Sequence, residues 1–256
     1  MANLWNTLLY NPLLQTLLFL YHLLFNNFGL AVLALTVLIR AILVPITIPA
    51  LKSAKKMADL KPHLDALKEK HGNDKQRLQA EQLRLYREHG VNPAAGCLPY
   101  LLQFLVLIAL YQVFIFFIQH GKVDSTIVNM KFLWWDLAKP DKTYILPIVA
   151  GLTQLVLSLM MMPENKKLEV RNEKLERKLE TTNNQPPTPK KEDMQESMQK
   201  QMLFFMPAMT VFIGISLPSG LALYWVATTV FSLVQQYFIT GIGGLKPYLA
   251  KLKIGA

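Results

Sequence analysis

The chain has 256 residues, is 52% hydrophobic and carries a formal net charge of +10. Its charges are gathered into blocks separated by long uncharged stretches, the segregation that a bilayer imposes and a soluble domain does not need. A single cysteine, Cys97, excludes an internal disulfide framework and a cysteine-cluster metal site, and no HExxH, GxxxxGKS/T or GxGxxG spacing occurs, so no cofactor, metal or specific nucleic acid is expected.

Residues 1–27 carry no charged side chain, and their apolar run from Leu13 to Phe25 is only a little over half a span. They lack the basic start and small-residue cleavage site of a signal peptide. The expectation is an interfacial helix on the outer surface, with a sixth spanning segment as the alternative. A first span follows over 28–50, since about 20 apolar residues cross a bilayer. Residues 51–93 then read as a cytoplasmic helical hairpin. Met57, Leu60, Leu64 and Leu67 form one apolar stripe, Pro62 starts or kinks the helix, and His71-Gly72-Asn73 supplies the turn. The second arm carries Leu78 and Leu85 on one face and ends at His89-Gly90, with glycine as the C-cap.

A second span is expected over 94–118, an extracytoplasmic loop over 119–142, and a third span over 143–162. Residues 163–201 form a charged loop with Leu168, Leu175 and Leu179 at heptad-like spacing and a proline-rich linker at 185–189. A helix is expected to resume near Asp193 and run into a short fourth span at 202–217. The fifth span covers 219–240 and a tail 241–256. Ten Lys/Arg lie in 51–93, nine in 163–201 and three in the tail, against four in 119–142 and none before residue 28. The positive-inside rule therefore places the N-terminus outside and the C-terminus in the cytoplasm.

Arg40 sits near the middle of the first span, roughly 15 Å from either end at 1.5 Å per residue. A charged side chain at that depth costs from about 2.5–3.5 to more than 10 kcal/mol unless its surroundings compensate. No Asp or Glu occurs in any of the five spans, so an ion pair within the membrane is not available. Neutral polar side chains or water must solvate it. Thr36 and Thr47 share its helical face. On the fifth span Tyr224, Thr228 and Gln235 share one face, with Trp225, Thr229, Ser232 and Gln236 on an adjacent one. On the third span Gln154 and Ser158 line up. Gln103 and Gln112 of the second span lie nine residues apart, on opposite faces, so only one can point into a common cavity. A bond from Arg40 to carbonyls freed by Pro45 and Pro49 is disfavoured, because helical side chains lean toward the N-terminus. The pattern implies a hydrated, positively charged cavity inside the bilayer. With neither carboxylate nor histidine in the spans, an intramembrane protease is disfavoured and no enzyme is expected. A small-solute transporter would call for repeats or more intramembrane charge.

Several stretches resemble one family. Leu38-Ile39-Arg40 through Pro45, and Lys52-Ser53-Ala54-Lys55-Lys56-Met57, resemble the first core span and hairpin entry of YidC-type membrane-protein insertases. Leu85-Tyr86-Arg87-Glu88-His89-Gly90-Val91-Asn92-Pro93 with Gly96-Cys97-Leu98-Pro99 resembles the entry to the second. Phe132-Leu133-Trp134-Trp135-Asp136-Leu137, Tyr144-Ile145-Leu146-Pro147 and Pro218-Ser219-Gly220-Leu221-Ala222-Leu223-Tyr224-Trp225 follow in family order. The resemblance implies an all-α membrane protein whose five transmembrane helices enclose a hydrophilic groove, open to cytoplasm and lipid and closed to the outside. Arg40 would receive polar segments of an inserting chain. Thr36, Thr47, Gln103, Gln154, Ser158, Tyr224, Trp225, Thr228 and Gln235 would line the groove. Lys55, Lys56, Met57 and Leu60 would recruit substrate on a mobile hairpin, and Met160, Met161 and Met162 are candidates for an adaptable apolar contact. The implied partners are nascent membrane proteins, lipid, the ribosome and signal-recognition pathway, with the Sec translocon as a further candidate. A folding chaperone of the same fold is the alternative. The sequence shows neither the large periplasmic domain of Gram-negative members nor a lipoprotein-type signal.

Overall fold

The computed structural model describes residues 2–71, 74–92, 98–120, 122–123, 126–162 and 192–246. The fold is all-α, as expected. An N-terminal arm consists of α1 (Ala2–Trp5), a π-helical turn (Asn6–Tyr10) and α2 (Asn11–Leu23). Then come α3 (Phe28–Asp59), α4 (Lys61–His71), α5 (Lys75–Glu88) and α6 (Leu98–His120). After a loop region, α7 (Ile145–Met161), α8 (Glu192–Ser216) and α9 (Ser219–Thr240) complete the bundle. Among the described residues α3 and α6 are long and apolar enough to cross a membrane, while α7 and the 204–216 part of α8 are apolar but shorter. α9 is 22 residues long but spaces Tyr224, Thr228, Thr229, Gln235 and Gln236 along its length. The charged segment 163–191, with its leucine stripe and linker, and the turn residues Gly72-Asn73 lie outside the described residues.

α3 is longer than the first expected span. It runs through Pro45 and Pro49 as one 32-residue helix and carries Lys52, Lys55, Lys56 and Met57 on its own extension. Each proline leaves one carbonyl of the preceding turn without its N–H donor, which neighbouring packing has to tolerate. The hairpin proper begins only after a turn at Leu60. Pro62 stands at the second position of α4, where a missing N–H costs least. Asp74 caps α5 by accepting from the Arg77 N–H at 3.0 Å. At the other end Gly90 takes φ +61°, the Gly90 N–H reaches Arg87 O at 3.1 Å and the Val91 N–H reaches Tyr86 O at 2.8 Å. That pair of bonds is a Schellman motif, and glycine is favoured in it because no Cβ opposes positive φ.

The core lies at the loop end of the bundle. Phe28 meets Phe114 and Phe117 edge-on at centroid distances of 5.4 and 5.3 Å, and Tyr21 closes on Phe28 at 6.3 Å. Leu17, Leu35, Leu137, Leu221 and Tyr224 fill in around them. The N-terminal arm therefore contributes to the core through Leu17 and Tyr21. The connection 119–142 holds two small antiparallel pairs, Lys122–Val123 with Thr126–Ile127 and Lys131–Phe132 with Trp135–Asp136. It is stitched to the start of α9. The Ser219 and Gly220 N–H groups, which a helix start leaves unsatisfied, donate to Lys139 O and Leu137 O at 2.8 and 3.1 Å, and Ser219 Oγ donates to Asp136 O at 2.8 Å. Phe132 reaches so close to α3 that a Cβ on Gly29 would lie 2.1 Å from its ring. By contrast, large apolar side chains such as Leu101, Phe104, Leu152, Phe212 and Phe238 stay exposed on the flanks, which is how a bilayer-facing surface is built.

Asp141, just ahead of α7, is buried. One carboxylate oxygen accepts from Thr143 N–H (2.8 Å) and Thr143 Oγ1 (2.5 Å), and the other from Leu146 N–H (2.9 Å). Burial opposes its ionisation, but the hydrogen bonds from Thr143 and Leu146 outweigh that and hold its pKa below the ordinary carboxylate value. A depressed pKa stabilises the fold fully above the unfolded-state value, and that stability fades as pH falls through the folded-state value. Asp141→Asn should lower the unfolding free energy at pH 7 by about 1–3 kcal/mol. It should also flatten the acid limb of a Tm-versus-pH curve measured in detergent. An unchanged acid limb would contradict this account of the α7 start.

Candidate functional site

Below the aromatic core the seam between α3, α6 and α9 turns polar. Arg40 projects from α3, half-buried, and donates through Nη2 to Gln103 Oε1 of α6 at 2.8 Å. The same amide donates through Nε2 to the hydroxyl of Tyr224 on α9 at 2.6 Å. Tyr224 is itself buried. Gln103 thus uses both ends of its side chain, one toward a cation and one toward a phenol. A neutral amide strengthens the guanidinium's solvation without cancelling its charge, and charge-assisted bonds of this kind contribute about 1.5–3 kcal/mol. Toward the charged end of the same seam, Gln235 Nε2 donates to Thr47 Oγ1 at 2.6 Å, and Thr47 donates to Val44 O at 3.1 Å. This second bridge ties α9 to α3 beside Pro45, where the helix ladder is interrupted.

The expected site residues divide sharply. Arg40, Gln103, Tyr224, Thr47 and Gln235 are joined by hydrogen bonds across three helices, and buried Thr228 lies one turn after Tyr224 on the same helical face. Thr36 does not line a cavity: it is buried and its hydroxyl bonds Val32 O of its own helix at 2.7 Å. Gln154 and Ser158 sit on α7, which packs mainly against α8 and α9 and touches α3 only slightly. The link from α7 is instead Thr153, whose hydroxyl meets that of Thr229 at 2.8 Å. Trp225 is half-buried on α9. Gln112 points away from Arg40, as the nine-residue spacing requires, and accepts from Trp5 Nε1 of the N-terminal arm at 2.8 Å. Missed by sequence reasoning was the Thr153–Thr229 pair; its signal was there, two hydroxyls on apolar helices, but no partner face was assigned.

The recruiting residues also differ from expectation. Leu60 is buried at the α3–α4 junction and cannot meet a substrate there. Lys55 donates to Thr240 O at the end of α9 at 3.2 Å, whereas Lys56 is exposed and Met57 half-buried. Between α4 and α5 lies a cleft of about 370 Å³ whose walls include His63, Leu67, Leu85 and Arg84. It is apolar at its floor and charged at its rim, with Arg84 bonded to Glu88 at 2.8 Å.

The model of the 60Kd inner membrane protein family matches residues 19–243. The chain belongs to that family. It is 35% identical over 234 residues to the membrane protein insertase YidC of Fusobacterium nucleatum, covering 90% of this chain and 96% of that one. It is 35% identical to YidC of Alkalihalophilus pseudofirmus (91% and 81% covered) and 32% identical to the insertase MisCA of Bacillus subtilis (93% and 79% covered). Membership and the apolar helices place this family member in a membrane.

If Gln103 carries Arg40, the two glutamines of α6 should differ on mutation. Gln103→Leu should destabilise the protein by about 1–3 kcal/mol, since it strips partners from a guanidinium and a buried phenol. Gln112→Leu, at an exposed bond, should cost about 0.5–1.5 kcal/mol. Thermal unfolding in detergent reads both; equal shifts would argue against the assignment.

Proposed function

We propose that the chain inserts nascent membrane proteins into the bacterial inner membrane through a positively charged, hydrated groove along the α3–α6–α9 seam. The single observation carrying the reading is the Arg40–Gln103–Tyr224 chain: a cation at mid-helix depth solvated by a neutral amide, so that its field stays available to an incoming acidic or carbonyl-rich segment. Insertion is limited by moving polar groups through hydrocarbon, and a wet half-channel shortens that path. In this reading five helices span: α3, α6, α7, the apolar part of α8, and α9. The loop 119–142 and the N-terminal arm lie outside, where the aromatic core and the stitched start of α9 seal the groove. Residues 51–93, 163–201 and the tail face the cytoplasm.

A substrate helix then leaves the groove along α7 and α9 into lipid, with hydrophobic partitioning, aided by the membrane potential, supplying the energy. Exposed Lys56 and the cleft between α4 and α5 offer a first docking surface for the incoming chain. The ribosome, the signal-recognition pathway and the Sec translocon are the partners this arrangement would serve. Gln103, Tyr224, Thr47 and Gln235 act by holding Arg40 and the seam, and Trp225 and Thr228 flank them.

In reconstituted vesicles, Arg40→Ala should lose at least tenfold in insertion of substrates with charged translocated segments, and Arg40→Lys should keep most activity. Water accessibility of a cysteine at position 40, in a Cys97→Ser background, should be high from the cytoplasmic side. Full insertion by Arg40→Ala on every such substrate would defeat the role given to this residue.

A further inference from the structure

A second polar site lies where α3, α7 and α9 end together, apart from the Arg40 seam. α9 stops at Gly241, which takes φ +78°, and the chain folds back over the end of α7 so closely that a Cβ on Gly243 would lie 2.2 Å from Met160 O. The turn encloses a cleft of about 120 Å³. Lys55 and Asp59 of α3, Met160 and Met162 at the end of α7, Gln236 of α9 and Lys246 beyond it stand on its walls. Gln236 is only 5% exposed, and its amide oxygen has no hydrogen-bond partner among the described residues. An unsatisfied buried acceptor costs about 1–3 kcal/mol, so this oxygen calls for a donor.

We infer that this cleft binds the headgroup of a membrane phospholipid whose phosphodiester carries a terminal hydrogen-bond donor, as ethanolamine and glycerol headgroups do. Each part of the ligand has a counterpart. The phosphate meets the ammonium groups of Lys55 and Lys246; Lys55 gives one of its three N–H donors to Thr240 O at 3.2 Å, and the others remain for a ligand. The terminal donor meets Gln236 Oε1, with Asp59 and the carbonyl end of α9 adding negative potential that favours an ammonium. A water takes about 10–15 Å³ of such space, so the cleft accommodates a group of several non-hydrogen atoms but not a helix. Met160 and Met162 give one wall of the cleft an apolar, adaptable surface, which suits a ligand with acyl chains over a free anion. The inference rests on the membrane placement of α7 and α9 proposed above, but not on Arg40 or on insertion.

Native mass spectrometry of the detergent-purified full chain, with dioleoyl phosphatidylethanolamine, phosphatidylglycerol and phosphatidylcholine added in turn, tests it. The first two should bind at least tenfold more tightly than phosphatidylcholine, whose quaternary headgroup has no donor. Gln236→Leu should lose at least fivefold affinity for both. Gln236→Glu, which keeps the acceptor and adds charge, should favour ethanolamine over glycerol more than the wild type does. Arg40→Ala should bind lipid as the wild type does even where it fails to insert substrates, which separates the two readings. Equal binding of phosphatidylcholine, equal binding by Gln236→Leu, or displacement by soluble glycerophosphoethanolamine at the same concentration as lipid would overturn the proposal. So would a photocrosslink from position 236 that captures nascent chain and no lipid.

Discussion

The structure depends on how one guanidinium is kept charged inside an apolar helix bundle. Arg40 has no carboxylate in any of the apolar segments around it, and ionisation of arginine cannot be relinquished at any physiological pH. Gln103 accepts from the cation with its oxygen while donating to Tyr224 with its nitrogen. An amide partner, unlike a carboxylate, satisfies the geometry of the guanidinium without cancelling its charge.

That arrangement requires the two ends of the bundle to be different. At the loop end, aromatic rings interlock, and the first N–H groups of α9 are taken up by carbonyls of the 119–142 loop. At the charged end, α3 continues beyond the apolar region as a helix bearing Lys52, Lys55 and Lys56, and α9 and α7 finish beside it in a small polar cleft. Gln235 and Thr47 stitch the intervening stretch, at a point where Pro45 and Pro49 have weakened the backbone ladder of α3. Polarity thus rises steadily from one end to the other along a single seam.

α7 and α8 play a different part. They pack on each other, and α7 also packs on α9; close approaches bring α7 and α8 together, since a Cβ on Gly151 would lie 2.3 Å from Val211, and one on Gly214 would lie 3.3 Å from Pro147. Their outward faces are apolar and exposed. α7 is tied to α9 through the hydroxyls of Thr153 and Thr229.

Much of this was legible in the residues. The apolar segments, the charge blocks, the glycine-capped end of the hairpin and the singular position of Arg40 follow from hydropathy, turn chemistry and the cost of burying charge, all of which are local properties. Periodicity also established that Gln103 and Gln112 could not both serve Arg40. It could not say which one did, because spacing along a helix fixes relative faces and not the rotation of that helix against its neighbours. For the same reason Thr36, Gln154 and Ser158 shared plausible faces on paper, yet Thr36 bonds its own backbone and the other two sit on α7, which touches α3 only slightly. Only the packing of α3, α6 and α9 decided that Tyr224 and Gln103 meet and that Gln235 finds Thr47. These are contacts between residues up to 188 positions apart in sequence, and they exist because three-dimensional packing sets each helix's rotation.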